Sequence, residues 1–205
     1  GLSSWSSSLL ALVDAMHQTQ LKPNIRVVQI LGGIGNPAAE IHAARLTTRF
    51  TKLVNGTATF LSAPAIVGSA EALQVLLDDK YIQQAMDLFN EVSLALVGIG
   101  AVEPSDLLAD SGNIFSNEEL EILRQKGASG DILLHFIDKF GNQVQTSFDH
   151  RVVSMSLSQL KNADRVVGVA GGKRKFNAIL GALRGGYINV LITDCMTAER
   201  LTAVA

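Results

Sequence analysis

The sequence predicts an α/β fold, a mostly parallel sheet with helices on both faces. Three observations carry this expectation. Short β-branched runs alternate with longer segments of helical period. The clearest of the runs, VSLALVGI from Val92 to Ile99, is apolar at successive positions, so both of its faces need cover. Strand-helix alternation then implies right-handed crossovers and parallel neighbours.

Taken in order, Gly1-Leu2-Ser3-Ser4 reads as a loop capping the helix that follows, as if the strand feeding it lay upstream; residues before Gly1 are expected. Leu9, Leu12, Val13 and Met16 then stand at i, i+3, i+4 and i+7, one face of a helix. IRVVQIL, Ile25 to Leu31, is a strand, and Asn36-Pro37 supplies an N-cap and a first-turn proline for a helix running to about Leu53. Ala58 to Leu61 and Val92 to Ile99 are further strands. Ser116 with Glu119 forms a capping box before Leu120 and Leu123.

From Gly130 to Met155 the alternation breaks. DILLHFID, QVQTSF and RVVSM are separated by turn signals, Lys139-Phe140-Gly141-Asn142 being the clearest. A strand over Asp131 to Ile137 and a small antiparallel hairpin or lobe around 130–155 are expected. Arg165 to Ala170 and Asn189 to Thr193 complete the strands. Phe176, Ile179, Leu180 and Leu183 mark the helix between them, and Asp194 caps the last helix.

The 205 residues, 47% of them apolar and 18% charged, suit one globular domain over 1–205. A net charge of -2 with both signs dispersed offers no large basic field, so nucleic acid would have to be bound by another segment. The single cysteine, Cys195, can form no internal disulfide, which fits a reducing compartment. No apolar run approaches the roughly 18 residues of a membrane span. The opening GLSSWSSSLL lacks the basic region of a signal peptide. A soluble, cytoplasmic domain without membrane contact is expected.

In a parallel α/β sheet, ligands bind at the carboxyl ends of strands, where glycine loops meet helix N-termini. Four such junctions are legible: Gly1-Leu2-Ser3-Ser4, Leu31-Gly32-Gly33-Ile34-Gly35, Gly98-Ile99-Gly100, and Gly171-Gly172-Lys173. Ser3 and Ser4 add hydroxyls, Lys173 a full charge, and Lys175 lies close enough to reinforce it or to face solvent. A lone junction of this kind is often only a tight connection, and the two serines can be plain N-caps. Lys and Arg are electrostatically misplaced at a helix N-terminus, however, and a bound anion would remove that misplacement. Asp131 and Asp149 can accept hydrogen bonds from sugar hydroxyls or merely cap turns. Gly32-Gly33-Ile34-Gly35 does not fit the dinucleotide fingerprint, and no Walker-type phosphate loop is present. His17, His42, His135 and His150 are scattered without metal spacing, so neither metal nor cofactor is expected. Cys195, near a helix start, reads as a packed small hydrophobe.

With these residues in hand, the chain resembles the effector-binding domain of the SorC-type sugar-responsive bacterial transcription regulators. The matching stretches run the length of the sequence: VVQILGG, FLSAPAIV, LALVGIGA, KGASGDI, HFIDKFGNQV, HRVVSMSLSQLK, and VAGGKRKFNAILGALRGGYINVLITD followed by TAERL. The resemblance implies a fold similar to the glucosamine-phosphate deaminases, ribose-phosphate isomerases and CoA-transferase-like proteins. It also implies a phosphorylated sugar as effector, a homodimer or homotetramer, and a helix-turn-helix DNA-binding domain ahead of this one. The family's first phosphate loop lands on Gly1, Ser3 and Ser4, its second on Gly172 and Lys173, and its conserved acid on Asp131. With the glycine loops, the expected effector-binding set is Ser3, Ser4, Gly32, Gly33 and Asp131, joined by Gly171, Gly172, Lys173 and Lys175. Some members carry an arginine where this sequence has Leu31, which favours one phosphate over two.

The related fold makes a sugar-phosphate isomerase or deaminase the competing reading. In the deaminases the Gly-Ile-Gly strand end is followed by Asp-Gly-His, which carries acid-base chemistry. Here Gly98-Ile99-Gly100 is followed by Ala101-Val102-Glu103-Pro104-Ser105, with Glu103 and Asp106 the only nearby acids. No catalytic residue is assigned, and a sensor is favoured over an enzyme.

Overall fold

The computed structural model describes residues 1–18, 24–36, 40–104 and 106–204, with backbone alone at 40–42 and 107. In chain order the elements are α1 (Ser7–Ala15), β1 (Arg26–Val28), α2 (Glu40–Leu53), β2 (Thr57–Thr59), α3 (Ala70–Leu77) and α4 (Lys80–Asp87). Then come β3 (Leu94–Gly98), α5 (Asp106–Asp110), α6 (Asn117–Gln125), β4 (Ala128–Ile132) and β5 (His135–Asp138). The chain closes with α7 (Leu157–Lys161), β6 (Arg165–Val169), α8 (Phe176–Arg184), β7 (Val190–Ile192) and α9 (Cys195–Thr202).

The sheet is parallel where the apolar runs require it. β1 pairs with β2, and β6 lies between β3 and β7, each pair parallel. Leu2 joins the two halves by bridging Gln29 on one side and Leu96 on the other, both parallel. Its amide donates to Val28 O at 2.9 Å and its carbonyl accepts from Ile30 N at 3.1 Å. The opening residues therefore form part of a strand, not the loop expected from their composition. The N-cap of α1 is Ser6, whose Oγ accepts from Leu9 N.

Alternation along the strands explains why both faces are covered. Val27, Leu96, Val167 and Val169 pack with Leu9 and Val13 of α1 and Leu46 of α2. Their neighbours Val28, Ala95, Val97 and Val166 point the other way, into a core shared with Ala178, Ile179 and Ala182 of α8 and with the hairpin. The capping box of Ser116 and Glu119 opens α6, and Asp194 caps α9. α2 ends at Leu53 as expected, whereas Pro37 lies outside the described residues. Among the described residues, no helix is long and apolar enough to cross a membrane.

The inserted lobe differs from expectation in one respect. DILLHFID is not one strand but the hairpin β4–β5, turning at Leu133 and Leu134. Both leucines have left-handed φ, 55° and 64°. A two-residue turn matching the strand twist needs this backbone, which ordinarily selects Asn or Gly. Each leucine there costs about 1–2 kcal/mol, offset by burial of two apolar side chains at about 1.5–3 kcal/mol each. Ser154 fastens the turn, its Oγ donating to Leu133 O at 3.0 Å. Since that hydroxyl hydrogen is committed, His135 Nε2, also 3.0 Å away, must be the donor to Ser154 Oγ. Burial lowers the His135 pKa, consistent with a neutral ring.

Candidate functional site

The carboxyl ends of the central strands meet the hairpin and two helix starts around one small cavity of about 50 Å³. Past the end of β3, Gly100 exchanges two backbone hydrogen bonds with Asp131, 2.9 and 3.2 Å, which seats β4 on the strand end. Glycine is required on both sides of this contact. A Cβ on Gly100 would lie 1.9 Å from Asp131 Oδ1, and one on Gly130 would lie 2.2 Å from Gly100 O. Asp131 is thereby held in the cavity wall, with its Oδ2 accepting the Leu134 amide at 3.0 Å.

Among the described residues, four ionisable side chains line this cavity: Glu103, Asp131, Arg174 and Lys175. Burial pushes the Asp131 carboxyl up to about 6, against the opposing pull of the Leu134 amide and the Lys175 charge. Burial also lowers the Lys175 ammonium, while Asp131 partly restores it and Arg174 lowers it further. Glu103 stands in the opposite regime. Its own backbone N–H, the Arg124 guanidinium and the Arg174 charge hold its carboxyl below the usual range. Ser3, Ser6 and Ser7 add hydroxyls beside the N-terminus of α1, and Trp5, Leu31, Leu133 and Leu134 form the apolar side. A cationic corner, hydroxyls at a helix N-terminus and an apolar wall suit a small anionic ligand with hydroxyl groups.

The expected residues divide between this cavity and its supports. Ser3, Asp131 and Lys175 line it, and the structure brings them together from distant parts of the chain. Ser4 does not line it. Its Oγ donates to Leu31 O at 2.7 Å, just as Trp5 Nε1 donates to Gly32 O at 2.8 Å, so both tie the first loop to the second. Gly32 and Gly33 are also absent from the wall and serve close packing. A Cβ on Gly32 would come within 2.4 Å of Pro64 O, and one on Gly33 within 2.7 Å of Gln29 Oε1. Gly171 and Gly172 face Asp194 instead of the cavity, with the Gly172 amide donating to Asp194 Oδ2 at 2.7 Å.

Lys173 is exposed and is not among the lining residues, whereas Arg174 and Lys175 are. Residues 173–175 form a 3-10 turn. At three residues per turn, successive side chains diverge by about 120°, so three neighbours cannot all face one cavity. Asp149 likewise lies outside the lining, its Oδ2 accepting the Thr146 amide in a capping box.

The family model described as "Putative sugar-binding domain" matches residues 3–203. The chain belongs to this SorC-type sugar-binding domain family. It is similar to the deoxyribonucleoside regulator of Bacillus subtilis (strain 168), 31% identical over 198 residues that cover 97% of this chain and 62% of that protein. The solved structure of the full-length sorbitol operon regulator SorC from Klebsiella pneumoniae superposes with a TM-score of 0.86. It has 27% identity and covers 98% of this chain and 64% of that one. The putative sugar-binding domain of a transcriptional regulator DeoR from Pseudomonas syringae pv. tomato is 37% identical, with a TM-score of 0.72, over 98% of this chain and 74% of that one. This sugar-binding domain thus spans about three fifths of the length of the curated relatives it matches first.

A larger slot of about 650 Å³ opens elsewhere on the domain, between Leu12 and Met16 of α1, Phe50 of α2 and the starts of β1 and β3. Its lining is mostly aliphatic and offers few polar groups to orient a sugar. The smaller cavity is therefore the candidate. Sequence reasoning missed Trp5, Ser6, Ser7, Glu103 and Arg174 in its wall. The spacing of Ser6 three residues before Leu9 signals an N-cap and would have located the start of α1. Nothing in the sequence orients Glu103 or Arg174.

Proposed function

We propose that this chain is the effector-sensing and oligomerisation domain of a sugar-responsive transcription regulator, and that its cavity takes a phosphorylated sugar. The observation that carries the reading is the clustering of Arg174 and Lys175 with Asp131 and three serine hydroxyls at the strand ends. The cations and the N-terminus of α1 receive the phosphate. Asp131 accepts from sugar hydroxyls, and Leu31 at the wall supplies no cation for a second phosphate, so a monophosphate is favoured. The names of two relatives, a deoxyribonucleoside regulator and a sorbitol operon regulator, support a carbohydrate-linked effector.

In the longer protein, a helix-turn-helix domain ahead of Gly1 contacts DNA while this domain pairs into a homodimer or homotetramer in the cytoplasm. The ligand prefers one arrangement of the loops around the cavity, and that preference shifts the spacing of the DNA-binding domains. Such a shift is limited by the ligand's differential affinity, about 1–3 kcal/mol of coupling. An enzyme of the same fold would share the raised pKa of Asp131. Among the described residues no histidine lines the cavity, and His135 is buried against Ser154 instead.

Isothermal titration against paired phosphorylated and unphosphorylated sugars tests the reading. Binding confined to phosphorylated members without turnover is the expected result. Turnover would revive the isomerase or deaminase, and absence of any binding would remove the sensor.

A further inference from the structure

We propose that Glu103 is a specificity-determining residue of the cavity, favouring phosphorylated sugars that end in neutral hydroxyls and turning away those that end in a carboxylate. The proposal rests on the reading of the cavity as a phosphate site.

The charge inventory of the wall leads to it. Two cations, Arg174 and Lys175, face two acids, Asp131 and Glu103. Once a phosphate dianion takes the cations, what remains for the rest of the ligand is two acids, serine hydroxyls and an apolar wall. Carboxylates accept hydrogen bonds from hydroxyls and repel another carboxylate.

The two acids do not discriminate equally. Asp131 is half-buried, feels the Lys175 charge, and is able to take up a proton near neutral pH, which relieves repulsion. Glu103 keeps its charge. Arg124 Nε and Nη2 both donate to its Oε1, at 3.2 and 3.1 Å, from α6 outside the cavity. Arg124 is itself tethered to Glu121 Oε2 at 3.3 Å. The Glu103 carboxylate is therefore oriented before a ligand arrives, without ordering cost at binding. Its side chain is half-exposed, at 50%, so solvent screening keeps the discrimination to about tenfold.

The test uses two matched pairs that differ only in a terminal hydroxymethyl or carboxylate: glucitol 6-phosphate with 6-phosphogluconate, and glycerol 3-phosphate with 3-phosphoglycerate. Each is titrated into the wild-type chain, Glu103→Gln and Glu71→Gln. The wild type is expected to prefer the polyol of a pair by about tenfold. Glu103→Gln narrows that ratio about tenfold, chiefly by strengthening the acid, whereas Glu71→Gln, which removes the same charge from the exposed face of α3 away from the cavity, leaves the ratio unchanged. An unchanged ratio in Glu103→Gln, or equal narrowing in both variants, overturns the role of Glu103. Absence of binding by all four compounds to every variant overturns the phosphate reading itself, and this proposal with it.

Discussion

The carboxylate of Asp194 accepts the Gly172 amide at 2.7 Å across 22 positions of chain, so the glycine loop already holds an anion of its own. The same carboxylate accepts Thr197 N at 2.9 Å and the Thr197 hydroxyl at 2.7 Å. One acid thus caps α9 and closes the Gly171-Gly172 turn, where φ at Gly172 is 90°. The Gly171-Gly172 loop, read from sequence as a phosphate cradle, has its Gly172 amide held by Asp194 in this fold. Beyond it, Arg174 and Lys175, but not Lys173, line the cavity.

Of the three basic residues after the glycine pair, Arg174 and Lys175 line the cavity. Arg174→Ala and Lys175→Ala are each expected to weaken a phosphorylated sugar by about 10- to 100-fold, the loss of one charge-assisted hydrogen bond. Lys173→Ala changes it by less than about threefold, as for a screened surface charge. Titration of the three variants against one phosphorylated sugar decides it. Equal losses at 173 and 175 would return the role to the first lysine.

Asp194→Asn is expected to lower the melting temperature at pH 7 and to loosen the Gly172 turn. The Thr197 hydroxyl, the Thr197 amide and the Gly172 amide hold the Asp194 carboxyl down to about 2. A depressed acid contributes stability above its unfolded value of 3.8, lost as pH falls toward 2. The gap between wild type and variant, read by circular dichroism melts, should therefore close between pH 4 and pH 2. A gap that persists at pH 2 would mean the carboxylate charge is not what holds the turn.

Much of this was legible in the sequence because it rests on short-range chemistry. The Ser116–Glu119 box, the Asp194 cap and the doubly apolar strands are set by residues within a few positions of each other. Asp131 was reachable because a glycine precedes it at a strand start. The Leu133-Leu134 turn was not, since two leucines carry no turn signal and take left-handed backbone only under tertiary burial. Leu2 was read as loop for the same kind of reason, its strand character coming from Gln29 and Leu96 far along the chain. The choice among Lys173, Arg174 and Lys175 depends on a rotation within one 3-10 turn, which composition does not encode.

Gly32→Ala separates packing from binding. Its Cβ would meet Pro64 O, Pro64 C and Ala65 N at 2.4 to 2.6 Å, all backbone, so no side chain can yield. Destabilisation of about 1–3 kcal/mol in urea unfolding is expected, the range for an overpacked interior. Phosphate affinity of the folded fraction should hold within about threefold. A stable variant with lost binding would place Gly32 in the ligand site instead.

Asp131→Asn should stabilise the domain while weakening its ligand. Burial raises the carboxyl from 3.8 to about 6, so the folded state favours the protonated form. For an acid raised in this way, the stabilising difference is fully present below pH 3.8 and is lost as pH rises through 6. A gap of about two pKa units corresponds to about 3 kcal/mol, and the solvent that reaches the cavity brings the expected figure to about 1–3 kcal/mol. Asparagine keeps an acceptor for the Leu134 amide and carries no charge at any pH. The variant is accordingly expected to melt several degrees above wild type at pH 8 and level with it below pH 4. Phosphorylated sugars should bind it at least about tenfold more weakly at pH 8, through loss of the charged acceptor. Equal melting temperatures at pH 8 would show that the Asp131 carboxylate is better solvated than its place between Gly100, Leu134 and Lys175 implies.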